Sequence, residues 1–210
     1  EIISAARTHC SLEFALMVEF GFRSGPRIQT ICDLKCSSLL TARRGNDERM
    51  WKVAVGPLSN VKTKRDVNYD LQIPEDLIEM LKSYATSSRR LIRVAKNKKA
   101  EDADILFLNR FGERYNRRGP DESVSISQDM ARLRKCVGGK INLKEFYFHC
   151  TRATFGTSIV NAGLRAGVPV DRILYRLKTL MGHSDSRTSL GYVQFIETEE
   201  FNKKIDDEIR

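Results

Sequence analysis

The hydrophobic pattern of this chain changes period in only one stretch, and that constrains the fold more than any other feature. Period-two alternation falls between Trp51 and Ile73 and is strict at Val67, Tyr69, Leu71 and Ile73, the repeat of a half-buried strand. Elsewhere apolar residues recur at helical steps or in dense runs such as Phe14–Val18. The expectation is a mainly α, α+β domain with a small three-stranded antiparallel sheet. Its strands are read at Trp51–Val55, Asn60–Thr63 and Val67–Ile73, with Lys64-Arg65-Asp66 as the hairpin turn.

Around the sheet the pattern predicts helices over Leu12–Phe20, stopping at Gly21, and over Arg27–Leu34 after Ser24-Gly25-Pro26. Further helices are read at Glu75–Tyr84, Ser127–Cys136, His149–Ala162, Pro169–Met181 and Ser184–Phe195. Gly163 and Gly182 stand where left-handed helix caps are expected. Ser87–Asp104 is polar and basic and reads as a loop or frayed helix. No internal repeat or linker divides the chain, and 210 residues suit a single domain at roughly 100–200 residues each.

The charge is uneven. Lys and Arg exceed Asp and Glu to leave a net +9, gathered at Arg43-Arg44, Lys62/Lys64/Arg65, Arg89–Lys99, Arg110–Arg118 and Arg132–Lys140. Clustered cations of this kind are the footprint of a polyanionic partner, although Arg89–Lys99 reads equally as a solvated face. The tail from Glu197 to Arg210 inverts the sign, with Phe201, Ile205 and Ile209 on one stripe. At 41% hydrophobic and 30% charged the chain is not globally disordered. No apolar run approaches the ~20 residues of a membrane helix. Five cysteines are scattered, and Cys32-x-x-x-Cys36 has no answering pair, so the expectation is reduced thiols inside a cell and no zinc site. The chain begins at Glu1 without a secretory leader and is read as a piece of a longer protein.

Three short patterns converge on phosphate chemistry. They are Gly25-Pro26-Arg27-Ile28, His149-Cys150-Thr151-Arg152, and Leu180-Met181-Gly182-His183 followed by Tyr192, nine residues after His183. Two arginines suit the phosphoryl oxygens, because the planar fork stays charged and binds two acceptors at once. His149 and Arg152, three apart, share a helix face. A tyrosine hydroxyl with a free pKa of about 10 needs activation or deprotonation as it attacks.

In this order, over about Leu12 to Phe195, the motifs resemble the catalytic domain of the tyrosine recombinase (phage integrase) family. The resemblance implies that Tyr192 attacks a DNA phosphate to form a 3′-phosphotyrosyl bond and release a 5′-hydroxyl. Arg27 and Arg152 would stabilise the pentacoordinate state, His149 would act as base or positioner, and His183 would orient a phosphate oxygen. A lysine of the β section, Lys62 with Lys64 as rival, would protonate the leaving oxygen. The resemblance further implies no cofactor, metal or ATP, and double-stranded DNA as partner. It implies a DNA-bound synaptic tetramer formed from a free monomer, with nucleoid or nuclear localisation. Arg43, Arg44, Lys64, Arg65, Arg117 and Arg118 are the expected DNA contacts.

By the same resemblance, residues 1–196 would be the catalytic domain and 197–210 a tail helix docking on a neighbouring protomer. An N-terminal DNA-clamping domain would be absent. Two departures stand out: Thr30 where the family often has an acid, and extra residues over 164–176, with Arg165, Arg172 and Arg176. Arg23 is a nearby rival of Arg27, read as a helper or surface group. The alternatives are a type IB topoisomerase-like strand transferase and a catalytically silent DNA-binding relative. A basic RNA-binding module fits less well, because no aromatic RNP strand or GXXG loop is present.

Overall fold

The computed structural model describes residues 1–97, 99–115, 124–137, 146–183, 188–196 and 198–199. In chain order come α1 (Ile2–His9), α2 (Leu12–Ser24), α3 (Ile28–Asp33), α4 (Cys36–Leu40), β1 (Arg43–Arg44), β2 (Met50–Val55) and β3 (Tyr69–Pro74). Then follow α5 (Glu75–Ala85), α6 (Ser88–Lys96), α7 (Val124–Val137), α8 (Phe148–Arg165) and α9 (Val170–Met181). Residues 188–196 are helical. The mainly helical architecture with one small sheet is as the periodicity predicts.

Helix α2 is buried on nearly every side, with Phe14, Met17, Val18 and Phe20 fully enclosed. Ser11 caps it, its hydroxyl accepting from the Phe14 amide at 3.3 Å. The helix does not stop at Gly21; it ends at Gly25, in the left-handed region at φ 69°. Gly21 serves close packing instead, because α8 crosses there and a Cβ would stand 2.3 Å from Thr151 Oγ1. Gly163 is likewise no cap: α8 continues to Arg165, and the glycine faces Ile173 of α9.

The sheet is an antiparallel meander of order β1-β2-β3, but its membership differs from expectation. Strand β2 pairs directly with β3, from Met50 opposite Pro74 to Val55 opposite Tyr69. Asn60–Thr63 is therefore not a strand. Gly56 and Asn60 take positive φ (121° and 54°), and the chain leaves the sheet as a loop closed by a Gly56–Val61 bridge. Lys64–Asp66 does turn, as a single 3-10 turn. The other edge of β2 is taken by Arg43–Arg44, a pair too short and polar for an alternation pattern to reveal.

Among the described residues, burial falls into two apolar clusters. The larger joins α1–α5, the sheet, Leu106–Phe107, α7 and the start of α8 at Phe148. The smaller joins Phe155 and Val160 of α8 to Ile173, Leu177, Leu180 and Met181 of α9, and to Val193 and Ile196. Helix α8 thus belongs to both, and its polar Thr151 and Arg152 are buried in between. The segment 164–176 completes α8 and begins α9.

Of the two readings of Ser87–Asp104, the helical one holds over Ser88–Lys96, which form α6, capped by Ser87. Its buried residues are Arg90 and Arg93, while Leu91 and Ile92 are exposed, so an apolar reading finds no stripe. The Arg90 guanidinium donates to the carbonyls of Ala85, Ala103, Ile105 and Leu106. Glu13, fully buried, accepts from Arg89 at 2.7 Å, Arg93 at 2.8 Å and the Tyr84 hydroxyl at 3.1 Å. These ligands hold the Glu13 carboxyl below its ordinary pKa against the opposing effect of burial, which is the largest influence on it. Removing one side of a buried ion pair strands the other charge. Glu13→Ala should therefore destabilise the protein by about 3 kcal/mol, to be measured by urea unfolding; a loss within ~0.5 kcal/mol would show that the network contributes little.

Candidate active site

The site lies where α8 passes from one core to the other. Among the described residues, Arg152 is the largest fully buried side chain. Its guanidinium donates to the Gly25 carbonyl at 2.5 Å and the Met181 carbonyl at 2.7 Å. One arginine thereby fastens the ends of α2 and α9 to α8. Arg27 follows Gly25 and Pro26 as the residue before α3 and is half-buried. Burial, then the neighbouring Arg27 charge, lowers the Arg152 pKa to about 10, against the raising influence of Tyr69 and Tyr192. Arg152 remains charged at neutral pH.

Helix α9 ends in Gly182 at φ 57°. Only glycine serves there, because the backbone is left-handed and a Cβ would stand 2.5 Å from the Tyr69 ring. The turn delivers His183 into the buried seam, where Nδ1 lies 2.8 Å from the Ser189 hydroxyl. Burial first, then Arg152 and Arg27, push the His183 pKa down to about 4.

Tyr192, on the helical segment 188–196, stacks on His183 with ring centroids 6.2 Å apart and planes at 11°. It also lies against the backbone of Gly156, one turn beyond Arg152 on α8. Burial raises the Tyr192 pKa, while Arg152 and Arg27 pull it down. The hydroxyl is thus protonated at rest beside two cations that favour its phenolate. His149 opens the same helix at the surface. Partial enclosure of its ring, then the charges of Arg152, Arg27 and Lys64, lower its pKa, which leaves the imidazole neutral at pH 7.

Five predicted residues, Arg27, His149, Arg152, His183 and Tyr192, therefore share one electrostatic neighbourhood. Both lysines lie in the exposed loop between β2 and β3. The Lys62 amide donates to Asp33 at 2.7 Å, and Asp33 is in turn bridged by Arg114. Lys64 opens the 3-10 turn and its charge reaches His149. Arg23 is spent on Asp76 and Glu19, at 2.6 Å and 3.2 Å. Thr30 is buried, and Tyr69 lies close to it and to the two arginines.

Of the expected DNA contacts, Arg43 is exposed on β1, and Lys64 and Arg65 are exposed on the loop. Arg44 is also exposed but pairs with Glu75 at 2.7 Å and lies over the Trp51 ring. Arg117, Arg118 and most of the 197–210 tail lie outside the described residues. Lys52 was missed by motif reading. It sits between Arg43 and Gln72 in the sheet register, and Gln72 accepts from Arg176 at 3.3 Å. Tyr69, Asp33 and Ser189 were also missed, having no local motif. Among the described residues no group of three His, Cys, Asp or Glu side chains is placed to hold a metal ion, and no helix is long and apolar enough to cross a membrane.

The family model described as the phage integrase family matches residues 1–198. The chain belongs to the phage integrase family. No curated protein matches this integrase-family chain in sequence. Its fold is similar to XerH bound to difH substrate before cleavage, at TM-score 0.61 and 18% identity over 95% of this chain and 49% of that one. It is similar also to XerA recombinase, at TM-score 0.57 and 19% identity over 95% and 61% of the two chains. A third similar structure is the Tn1549 integrase with transposon right end DNA, at TM-score 0.58 and 16% identity over 90% and 58%. The integrase-family chain spans about half the length of the XerH structure.

The buried imidazole carries a pH dependence. Folding keeps His183 neutral down to about pH 4, whereas the unfolded chain takes up that proton near its ordinary value of 6.5. The unfolded state thus binds more protons inside this window, and stability falls as pH drops from 6.5 towards 4. Thermal melts across the window should show a shallower fall for His183→Gln than for the wild type. Parallel curves would remove His183 as the source.

Proposed function

We propose that residues 1–196 form the catalytic domain of a site-specific DNA recombinase that cleaves and rejoins strands through a 3′-phosphotyrosyl intermediate. The observation that carries this reading is a tyrosine hydroxyl, Tyr192, stacked on a neutral histidine in the field of two arginines, one anchored and one half-exposed. The Tyr192 oxygen attacks phosphorus as the bond to the 5′-oxygen breaks, and its proton passes to His149. Arg27 and Arg152 bear the charge that grows on the non-bridging oxygens, the transition-state interaction such a site needs. His183, held by Ser189, orients one of those oxygens. The phosphotyrosyl link conserves the energy of the phosphodiester, so a second 5′-hydroxyl reverses the step without ATP.

The leaving oxygen takes its proton from a lysine of the β2–β3 loop. Motif favours Lys62, and position favours Lys64, whose charge reaches His149. DNA substrates named with the XerH and Tn1549 structures support duplex DNA as the partner. Exchange between two duplexes brings four protomers together on DNA.

Nicked suicide duplexes of candidate sites test the chemistry. A denaturant-resistant protein–DNA adduct should form and be lost in Tyr192→Phe; an adduct that persists in that variant would overturn the nucleophile. Alanine at Lys62 and at Lys64 separately should abolish cleavage in one variant only. A 5′-sulfur leaving group, which needs little protonation, should rescue that variant and identify the acid.

The exposed Arg43 and the half-buried Lys52, with the exposed Arg176 near them, are read as phosphate contacts. Arg43→Ala and Lys52→Ala should each weaken duplex binding similarly on all sequences and reduce the slope of log K against log salt by about 1. Unchanged slopes by fluorescence anisotropy would place the DNA elsewhere.

A further inference from the structure

Tyr69 is a half-buried ionisable residue with an enclosed hydroxyl, and the chemistry above finds no use for it. It begins β3, opposite Val55, with its ring against Gly182 at the turn that delivers His183. Its hydroxyl is closed off from solvent and makes no hydrogen bond of good geometry. Yet Arg152, Arg27 and Thr30 all face it, and it acts on Arg152 in return. A buried hydroxyl without a partner is costly, and phenylalanine would fill the same space without that cost. Arg152 donates to carbonyls of α2 and α9 on two of its nitrogens, and both bonds hold it to helix ends rather than towards a substrate.

We propose that Tyr69 is a positioning residue of this site: its hydroxyl accepts from the Arg152 guanidinium and holds it against the bound phosphoryl group. Burial raises the Tyr69 pKa, opposed by Arg152 and Arg27, so the phenol stays protonated and works as a neutral brace. The proton it carries is free to turn towards Thr30. This assignment rests on the reading that the two arginines bind a phosphodiester, and it adds a residue from the sheet to a site otherwise built from helices, their flanking turns and a loop.

Tyr69→Phe in the full chain tests it by three readouts: thermal midpoint, stabilisation by inorganic phosphate, and single-turnover cleavage of a nicked duplex. The midpoint should hold or rise, because an unsatisfied hydroxyl is removed. Phosphate affinity should weaken about tenfold, the worth of one hydrogen bond, with cleavage slowed by a similar factor. A structural role alone would lower the midpoint and leave phosphate affinity untouched. A phosphate affinity within twofold of wild type, or a wild type that gains no stability from phosphate, would overturn the assignment. If phosphate affinity weakens as expected while the wild type forms no DNA adduct, Tyr69 stands and the recombinase reading falls.

Discussion

A charged guanidinium buried at the meeting point of three helices governs this structure. Burying a cation is unfavourable unless its hydrogen bonds are met, and Arg152 meets them with main-chain carbonyls at the ends of α2 and α9. Those carbonyls belong to Gly25 and Met181, at two helix ends whose capping glycines take left-handed conformations. Arg27 and His183 lie just beyond the same caps. One side chain therefore sets both the join between the two cores and the spacing of the groups around Tyr192.

The join explains the depressed basicity of His183. His183 and Tyr192 face two cations from within a largely apolar seam: burial and then the arginines keep the imidazole neutral, whereas burial holds the Tyr192 phenol above its ordinary pKa with the arginines pulling the other way. Burial opposes phenolate formation, and the arginines offset only part of that effect. An incoming phosphate would neutralise part of the charge that now keeps Arg27 and Arg152 mutually repelling.

The cations divide into two populations that composition does not separate. Arg89, Arg90, Arg93 and Arg114 point inward to carboxylates and carbonyls, where they hold α6 and the 102–108 segment to the core. Arg43, Lys62 and Lys64 stand outside. Both populations look alike in a run of basic letters. What distinguishes them is whether a buried acceptor such as Glu13 or a row of open carbonyls faces the helix, and those acceptors come from distant parts of the chain.

Local pattern determined the helical class, the presence of one small sheet and the Gly182 cap, and it pointed to five residues that the fold gathers, because period, cap chemistry and motif order are all written along the chain. Tertiary structure alone decided that Gly21 and Gly163 pack rather than terminate, that β2 skips Asn60–Thr63 to pair with β3, and that α6 buries arginines. It alone brought Tyr69 beneath Gly182 and beside Arg152. Each of these outcomes depends on a partner many residues away, and close approach between distant segments leaves no mark on local periodicity.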